Sequence, residues 1–314
     1  MKLPKHRKYV EDDFDLDELI AMQAKNVERS ANRKLIEKLR VVIFFLALFV
    51  AYLTFVVVNY YIEVINNKLL TDKARSLTVT MDPIDGTSVE AADSSPSSAL
   101  SSAPPKISRW VDLTEDESPA LNEKILALRE EFGNDEIVGY VRIQGTRIDF
   151  PVVQGSDNEY YLSRDFSNRE SVTGAAFMDF RCNLDPLGLN TVIYGHNMRD
   201  GSIFHDLRNF VDKKYLNEHS QIELETLYGK SVWEVFSFYS TDTGFDYIQT
   251  DFPVPDDFYK DLLPEIVRRS MHFLPTYAGP GDRILSLSTC TNTGDLRYAL
   301  HAKLIEEEKS ERQY

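Results

Sequence analysis

Between Val41 and Val58 the chain runs through eighteen residues of which only Thr54 is polar, and Asn59-Tyr60-Tyr61-Ile62 follows. Crossing the hydrocarbon layer of a bilayer takes roughly 20 apolar residues in a helix, so the sequence predicts a single transmembrane helix over residues 41–62. The flanks give it a direction. Lys25, Arg29, Arg33, Lys34, Lys38 and Arg40 crowd the amino-terminal side, whereas Glu63, Lys68, Asp72, Lys73 and Arg75 open the other. Positive charge is retained on the cytoplasmic side, which places residues 1–40 inside and the remainder of the chain outside the cell. No small-x-small cleavage site follows the block and a long segment precedes it, so it is read as an uncleaved signal anchor rather than a removable leader.

Charge narrows the partners. The formal net charge is −15, and the first forty residues hold ten Lys or Arg against eight Asp or Glu, so the rest of the chain carries −17. A surface that acidic argues against nucleic acid as a partner and keeps an exported domain soluble. Cys182 and Cys290 are the only two cysteines, too few for a disulfide framework in a domain of this size, although one Cys182–Cys290 bridge stays open at this level.

Composition changes divide the chain further. Residues 1–40 alternate an acidic cluster, Glu11 to Glu18, with a basic helix-prone stretch. Residues 63–108 read as an extracellular flexible linker, because Ser94-Ser95-Pro96-Ser97-Ser98 and Ser101-Ser102-Ala103-Pro104-Pro105 offer too little apolar surface to offset the entropy of ordering. A folded domain is expected over 109–308 and a short tail over 309–314. It opens on a helix with Ser118 as N-cap, Pro119 in the first turn, and an apolar stripe of Leu121, Ile125, Leu128 and Phe132 before Gly133. Strands are predicted over 137–143, 147–153, 174–178, 191–195, 221–226, 231–239, 284–290 and 296–301, with short helices over 203–211 and 255–272, the latter broken near Pro264. Many short strands and few helices point to a closed or nearly closed β-barrel.

Three of these runs carry chemistry. In Ile284-Leu285-Ser286-Leu287-Ser288-Thr289-Cys290, alternation puts Leu285, Leu287 and Thr289 on one face and Ser286, Ser288 and Cys290 on the other. In the next run Tyr298, Leu300, Ala302 and Leu304 form the apolar face, and Arg297, Ala299, His301 and Lys303 the more polar one. A hairpin turning through Thr291 to Asp295, with Asp295 as a turn residue, would bring Cys290 and Arg297 to the same side. His196 closes a third run, Thr191-Val192-Ile193-Tyr194-Gly195-His196. A cysteine attacks as thiolate, favoured by a neighbouring cation; histidine carries protons near neutral pH; arginine offers a fixed fork of donors to a carbonyl or oxyanion. Each residue alone also has a plain structural reading: a buried inert thiol, a strand-end histidine, a salt-bridged arginine. His205, His219, His272 and His301 lack metal-ligand spacing, and no metal site is assigned.

Taken together, Leu287-Ser288-Thr289-Cys290, Tyr194-Gly195-His196-Asn197-Met198 and Arg297 resemble the sortases, membrane-anchored cysteine transpeptidases of Gram-positive bacteria. Phe150-Pro151-Val152-Val153-Gln154-Gly155, Asn158 with Tyr160-Tyr161-Leu162, Phe177-Met178-Asp179-Phe180-Arg181 and Tyr247-Ile248-Gln249-Thr250-Asp251-Phe252 are similar to class B members, and the resemblance runs from about Trp110 to Glu306. It implies a mostly β fold, an eight-stranded barrel with short helices, and an insertion between the strands ending near Ser240 and starting near Asp282 that shapes the substrate groove. It implies His196, Cys290 and Arg297 as catalytic residues, and Asn158, Tyr247, Ile248, Ser288 and Thr289 as groove residues. The implied partners are secreted proteins bearing a sorting motif, cleaved after threonine through a Cys290 thioester, and an amine of a cell-wall precursor or pilin; no cofactor is implied. A hydrolytic cysteine protease and a catalytically silent binding module on the same barrel stay open as alternatives.

Overall fold

The computed structural model describes residues 16–81, 121–198, 200–290 and 296–310. The chain divides into two compact units, Met1–Ile62 and Glu63–Tyr314. Helix α1, Leu16–Met81, contains the apolar block, whose side chains are exposed as those of a lipid-facing helix would be.

The second unit is built on a closed barrel of eight strands: β1 Ile137–Arg142, β2 Asp149–Val153, β3 Ala176–Met178, β4 Asn190–His196, β5 Gln221–Thr226, β6 Gly229–Thr241, β7 Ile284–Cys290 and β8 Arg297–Lys309. They close in the order β1-β2-β3-β4-β7-β8-β6-β5. β2–β3 and β4–β7 pair parallel and the other neighbours antiparallel. The expected barrel is present, and the alternation of Leu285 and Leu287 against Ser286 and Ser288 holds. Leu285, Leu287, Leu300 and Ala302 point into an interior shared with Val141, Phe150, Ile193, Trp233 and Phe238. Each large apolar side chain so enclosed contributes roughly 1.5–3 kcal/mol relative to exposure, which is the main driving force for closure.

The outer wall of the barrel is covered in two places. Helix α2, Glu123–Phe132, seats Ile125 and Leu128 against Tyr140, Val153 and Tyr194. Its N-cap is Asn122, not Ser118, and Ser118 and Pro119 lie outside the described residues. The Asn122 side chain accepts from Lys124 N at 3.0 Å, while its own N–H donates to Leu227 O at 2.7 Å, so a tertiary bond to the β5–β6 turn fixes where the helix starts. Between β6 and β7 the insertion contributes Tyr247, Phe258, Leu263 and Ile266 to a second cover over Tyr239 and Ala299. Its helical part is α4 Pro255–Asp257, a π-helical turn Phe258–Leu262 and α5 Leu263–Arg269. The expected break near Pro264 takes the form of that widened turn: proline supplies no N–H, and just ahead of it Leu263 N–H reaches Phe258 O. A short helix α3, Lys213–Glu218, follows the 3-10 segment Phe204–Val211.

The expectation of a flexible linker beginning at residue 63 needs correction over its first part. Residues 63–81 are the end of α1, with Ala74 and Thr78 fully buried and Leu70 and Leu77 packed on the cover of the barrel. Small and hydroxylated side chains let the helix lie close to the wall without a conspicuous apolar stripe. The Ser- and Pro-rich stretch of 82–108 lies outside the described residues, as do the start of the chain at 1–15, the hairpin turn at 291–295 and the end of the tail at 311–314.

Candidate active site

His196 ends β4, Cys290 ends β7 and Arg297 begins β8, and these three strands are neighbours in the barrel. In the parallel β4–β7 ladder, His196 and Cys290 are Cα partners. In the antiparallel β7–β8 ladder, Ser288 pairs with Ala299, a register that when continued to the strand ends sets Arg297 opposite residue 290. Directly paired residues share a face, so one rim of the barrel gathers all three positions.

The imidazole of His196 is held from one side. Its Nε2 lies 2.8 Å from Leu162 O. A carbonyl only accepts, so Nε2 carries the proton, and Nδ1 is left as a buried acceptor with no hydrogen-bond partner among the described residues. Two glycines make room for this arrangement. A Cβ on Gly195 would meet Ile203 Cγ2 and Phe204 Cδ2 at 2.7 Å, so the residue before His196 admits the packed start of the 3-10 segment. Gly174 has φ +60, in the left-handed region, and a Cβ there would come within 2.7 Å of Tyr161 O, 2.9 Å of Leu162 O and 3.0 Å of His196 Cδ2. Arg297 is half-buried, and its guanidinium makes no hydrogen bond or ion pair among the described residues.

Below the rim, the residues expected to line a groove are bound into the wall. Ser288 and Thr289 are fully buried; Tyr247 OH lies 2.7 Å from Ser288 Oγ, and Thr289 Oγ1 accepts from Tyr298 N at 2.9 Å. Asn158 Nδ2 donates to Asp179 Oδ2 at 2.9 Å and its Oδ1 accepts from Phe180 N at 3.1 Å, while Ile248, half-buried, offers its carbonyl to Arg181 at 3.1 Å. Ser288 and Thr289 thus sit next to Cys290 along β7, with Tyr247 bonded to Ser288, while Asn158 and Ile248 are joined to each other through Asp179 and Arg181.

Asp179 was not singled out as functional in the sequence, where Phe-Met-Asp-Phe-Arg reads only as a matched stretch. Its carboxylate accepts from Arg181, Tyr194 and Asn158. Burial opposes its charge, but the Arg181 guanidinium and N–H and the Tyr194 and Asn158 donors outweigh it and hold the carboxyl below its ordinary range. Burial, and then the Asp179 charge, push the Tyr194 phenol upward, so that it stays a donor. His301 is fully buried on the same outer face, its Nδ1 2.7 Å from Ser286 Oγ and its Nε2 2.9 Å from Tyr239 OH. Burial lowers its pKa to about 3, so it is neutral.

Cys182 is a free thiol. Val192 N donates to its Sγ at 3.4 Å, four residues from His196 along β4, or roughly 13 Å at strand rise. Bridged cysteines need Cα atoms within about 7 Å, so the bridge to Cys290 that the sequence left open is absent. Burial pushes the Cys182 thiol up to about 12, which makes it inert.

A rim that combines a cysteine position, an imidazole with one free nitrogen and a half-buried guanidinium fits acyl transfer through a covalent intermediate. Comparisons with known proteins agree. A family model described as the sortase domain matches residues 141–305. Sortase B of Listeria monocytogenes is 38% identical over 175 residues, covering 55% of this chain and 71% of that protein. Sortase B of Staphylococcus aureus is 39% identical over 157 residues, covering 50% and 64%. The solved Staphylococcus aureus sortase B–substrate complex superposes with a TM-score of 0.56 at 35% identity, covering 59% of this chain and 86% of that one.

Proposed function

Because this chain belongs to the sortase family, cysteine transpeptidases, we propose that it cleaves a carboxy-terminal sorting motif of secreted proteins after a threonine and transfers the acyl part to an amine of a cell-wall precursor or pilin. Cys290 passes its thiol proton to His196 Nδ1 and attacks the threonine carbonyl carbon as thiolate; the C–N bond breaks as His196 gives that proton to the departing amine, leaving a thioester. An incoming amine then attacks the thioester, His196 takes up its proton, and the thiolate departs. Arg297 and a backbone amide near Cys290 hold the oxyanion in both halves.

The observation that carries this reading is the register that makes His196 and Cys290 partners with Arg297 on the adjoining strand. With Nε2 committed to Leu162 O, Nδ1 is the nitrogen left to exchange protons at the rim. Asn158, Tyr247, Ile248, Ser288 and Thr289 are assigned to the groove, Tyr247, Ser288 and Thr289 shaping it from beneath. The solved sortase B–substrate complex of Staphylococcus aureus, a relative of this chain, supports substrate binding on this fold. The apolar block anchors the protein with residues 1–40 in the cytoplasm and the barrel outside.

The test is to incubate the protein with a peptide library and identify the acyl-enzyme by mass spectrometry. A peptide mass ending in threonine on Cys290, discharged faster by added amines than by water alone, is expected. An adduct that ignores amines would make the protein a protease, and no adduct at all would sink the enzymatic reading.

A further inference from the structure

After its apolar block, α1 continues from Glu63 to Met81 within the same compact unit as the barrel. At the head of this stretch Asn67 Nδ2 donates to Ser171 Oγ at 2.6 Å and to Thr173 Oγ1 at 2.7 Å, and one turn earlier the Glu63 carboxylate accepts from Val172 N. Ser171 and Thr173 are buried, and their hydroxyls lie 2.9 Å apart. Further along, Ala74 and Thr78 bury the same helix face and Arg75 pairs with Asp149 at 2.6 Å. The stretch 63–81 is thus fastened to the barrel, with its most specific contacts on the loop 171–174.

That loop is stitched to the segment that holds His196. Ser171 N donates to Ser163 O at 2.8 Å and Ala175 N to Tyr161 O at 3.1 Å. The carbonyl between those two, Leu162 O, is the one bonded to His196 Nε2. Gly174 completes the loop against the imidazole edge, with no space for even a methyl group. A shift of Ser171 or Thr173 therefore reaches His196 by two routes, through the carbonyl that orients the ring and through the backbone packed on its Cδ2. We infer that Asn67 is a positioning residue for His196, through which the helix next to the membrane block sets the imidazole for proton transfer. Without Asn67 the two hydroxyls keep each other as partners but lose the amide that pins them to the helix. A misplacement of about 1 Å at a reacting group can cost on the order of 10²-fold, so even a fraction of that movement is measurable.

This inference rests on the transpeptidase reading for one readout and is independent of it for another. Full-length protein in phospholipid nanodiscs, in a Cys182→Ala background, is compared with Asn67→Ala, Thr173→Val, the double variant and Lys73→Ala, which alters an exposed pair on the same helix. Two quantities are measured: the rate of acyl-enzyme formation with a sorting peptide, and the pH dependence of Cys290 alkylation by iodoacetamide. Expected for Asn67→Ala is a loss of roughly 2- to 30-fold in acylation, appearing in kcat with KM little changed, together with a displaced alkylation profile. Thr173→Val should reproduce part of it, the double variant should lose less than the product of the two, and Lys73→Ala should match the parent. Unchanged acylation and alkylation in Asn67→Ala would overturn the inference. So would a loss that merely follows the unfolded fraction while the alkylation profile stays in place. If the parent forms no acyl-enzyme, the transpeptidase reading fails, and the alkylation profile alone decides the role of Asn67.

Discussion

His301 Nδ1 lies 2.7 Å from Ser286 Oγ, in the middle of a buried chain of hydrogen bonds. Ser286 donates to Asn190 Oδ1, so His301 Nδ1 donates to Ser286 and its Nε2 accepts from the Tyr239 hydroxyl. Asn190 Nδ2 passes the chain on to the carbonyls of Tyr247 and Gln249. Four strands of chain and the groove segment are joined through one neutral imidazole.

Stability should therefore fall on acidification in a defined window. Above the ordinary histidine value of about 6.5 neither folded nor unfolded His301 is charged; below it the unfolded chain takes up a proton that the folded chain, with a pKa of about 3, refuses. The contribution is fully present above pH 6.5 and is lost as the pH falls toward 3, with a slope approaching about 1.4 kcal/mol per pH unit for one proton. His301→Phe should flatten that slope in denaturant titrations between pH 4 and 7; an equal slope in both proteins would reject the assignment.

Cys290→Ala is expected to abolish acyl-enzyme formation, and Cys182→Ala to leave it intact. Cys182 is held at Val192, away from the rim, with its thiol pushed up to about 12. Mass spectrometry of each variant with peptide distinguishes them, and equal loss in both would contradict the separation.

Arg297→Lys keeps the charge but loses the planar fork. Removing one preorganised oxyanion donor typically lowers turnover by about 10²–10³-fold, and a deficit of that order is expected in kcat. Near-normal turnover with an intact circular dichroism spectrum would leave a cysteine–histidine pair as the working site.

Gly174→Ala should harm catalysis beyond its effect on folding. The left-handed backbone costs a non-glycine residue roughly 1–2 kcal/mol, and the new methyl would press on Leu162 O and His196 Cδ2 together. Turnover at a temperature where the variant is fully folded should drop with its pH profile displaced. An activity loss that disappears once the folded fraction is allowed for would mean the ring tolerates the methyl group.

What could be read from the residues was the barrel interior and the rim. Leu285, Leu287, Leu300 and Ala302 alternate as strand residues facing one core must, and the hairpin pairing of β7 with β8 follows from them. The opposite faces were harder. Ser286, Ser288 and His301 look like solvent-facing residues, yet all are fully buried, because the insertion after Thr241 supplies Tyr247 and a covering layer that local periodicity does not reveal. The start of α2 is ambiguous in sequence for a related reason: Ser118 and Asn122 are both sound caps, and the bond from Asn122 N to Leu227 O favours Asn122. Docking of residues 63–81 is hard to read because Asn67, Ala74 and Thr78, which share the contact with Leu70 and Leu77, carry little apolar surface.

The insertion leaves β6 at Thr241, the partner of Arg297, and returns at Ile284, at the far end of β7 from Cys290. It thus departs beside the reacting groups yet interrupts none of the ladders that align them. Doubling the length of a flexible excursion costs only about 0.6 kcal/mol in closure entropy. On the proposed transpeptidase reading, recognition of different peptides is open to revision there by lengthening, shortening or recomposing one stretch of chain, while the register of the three rim positions stays as it is.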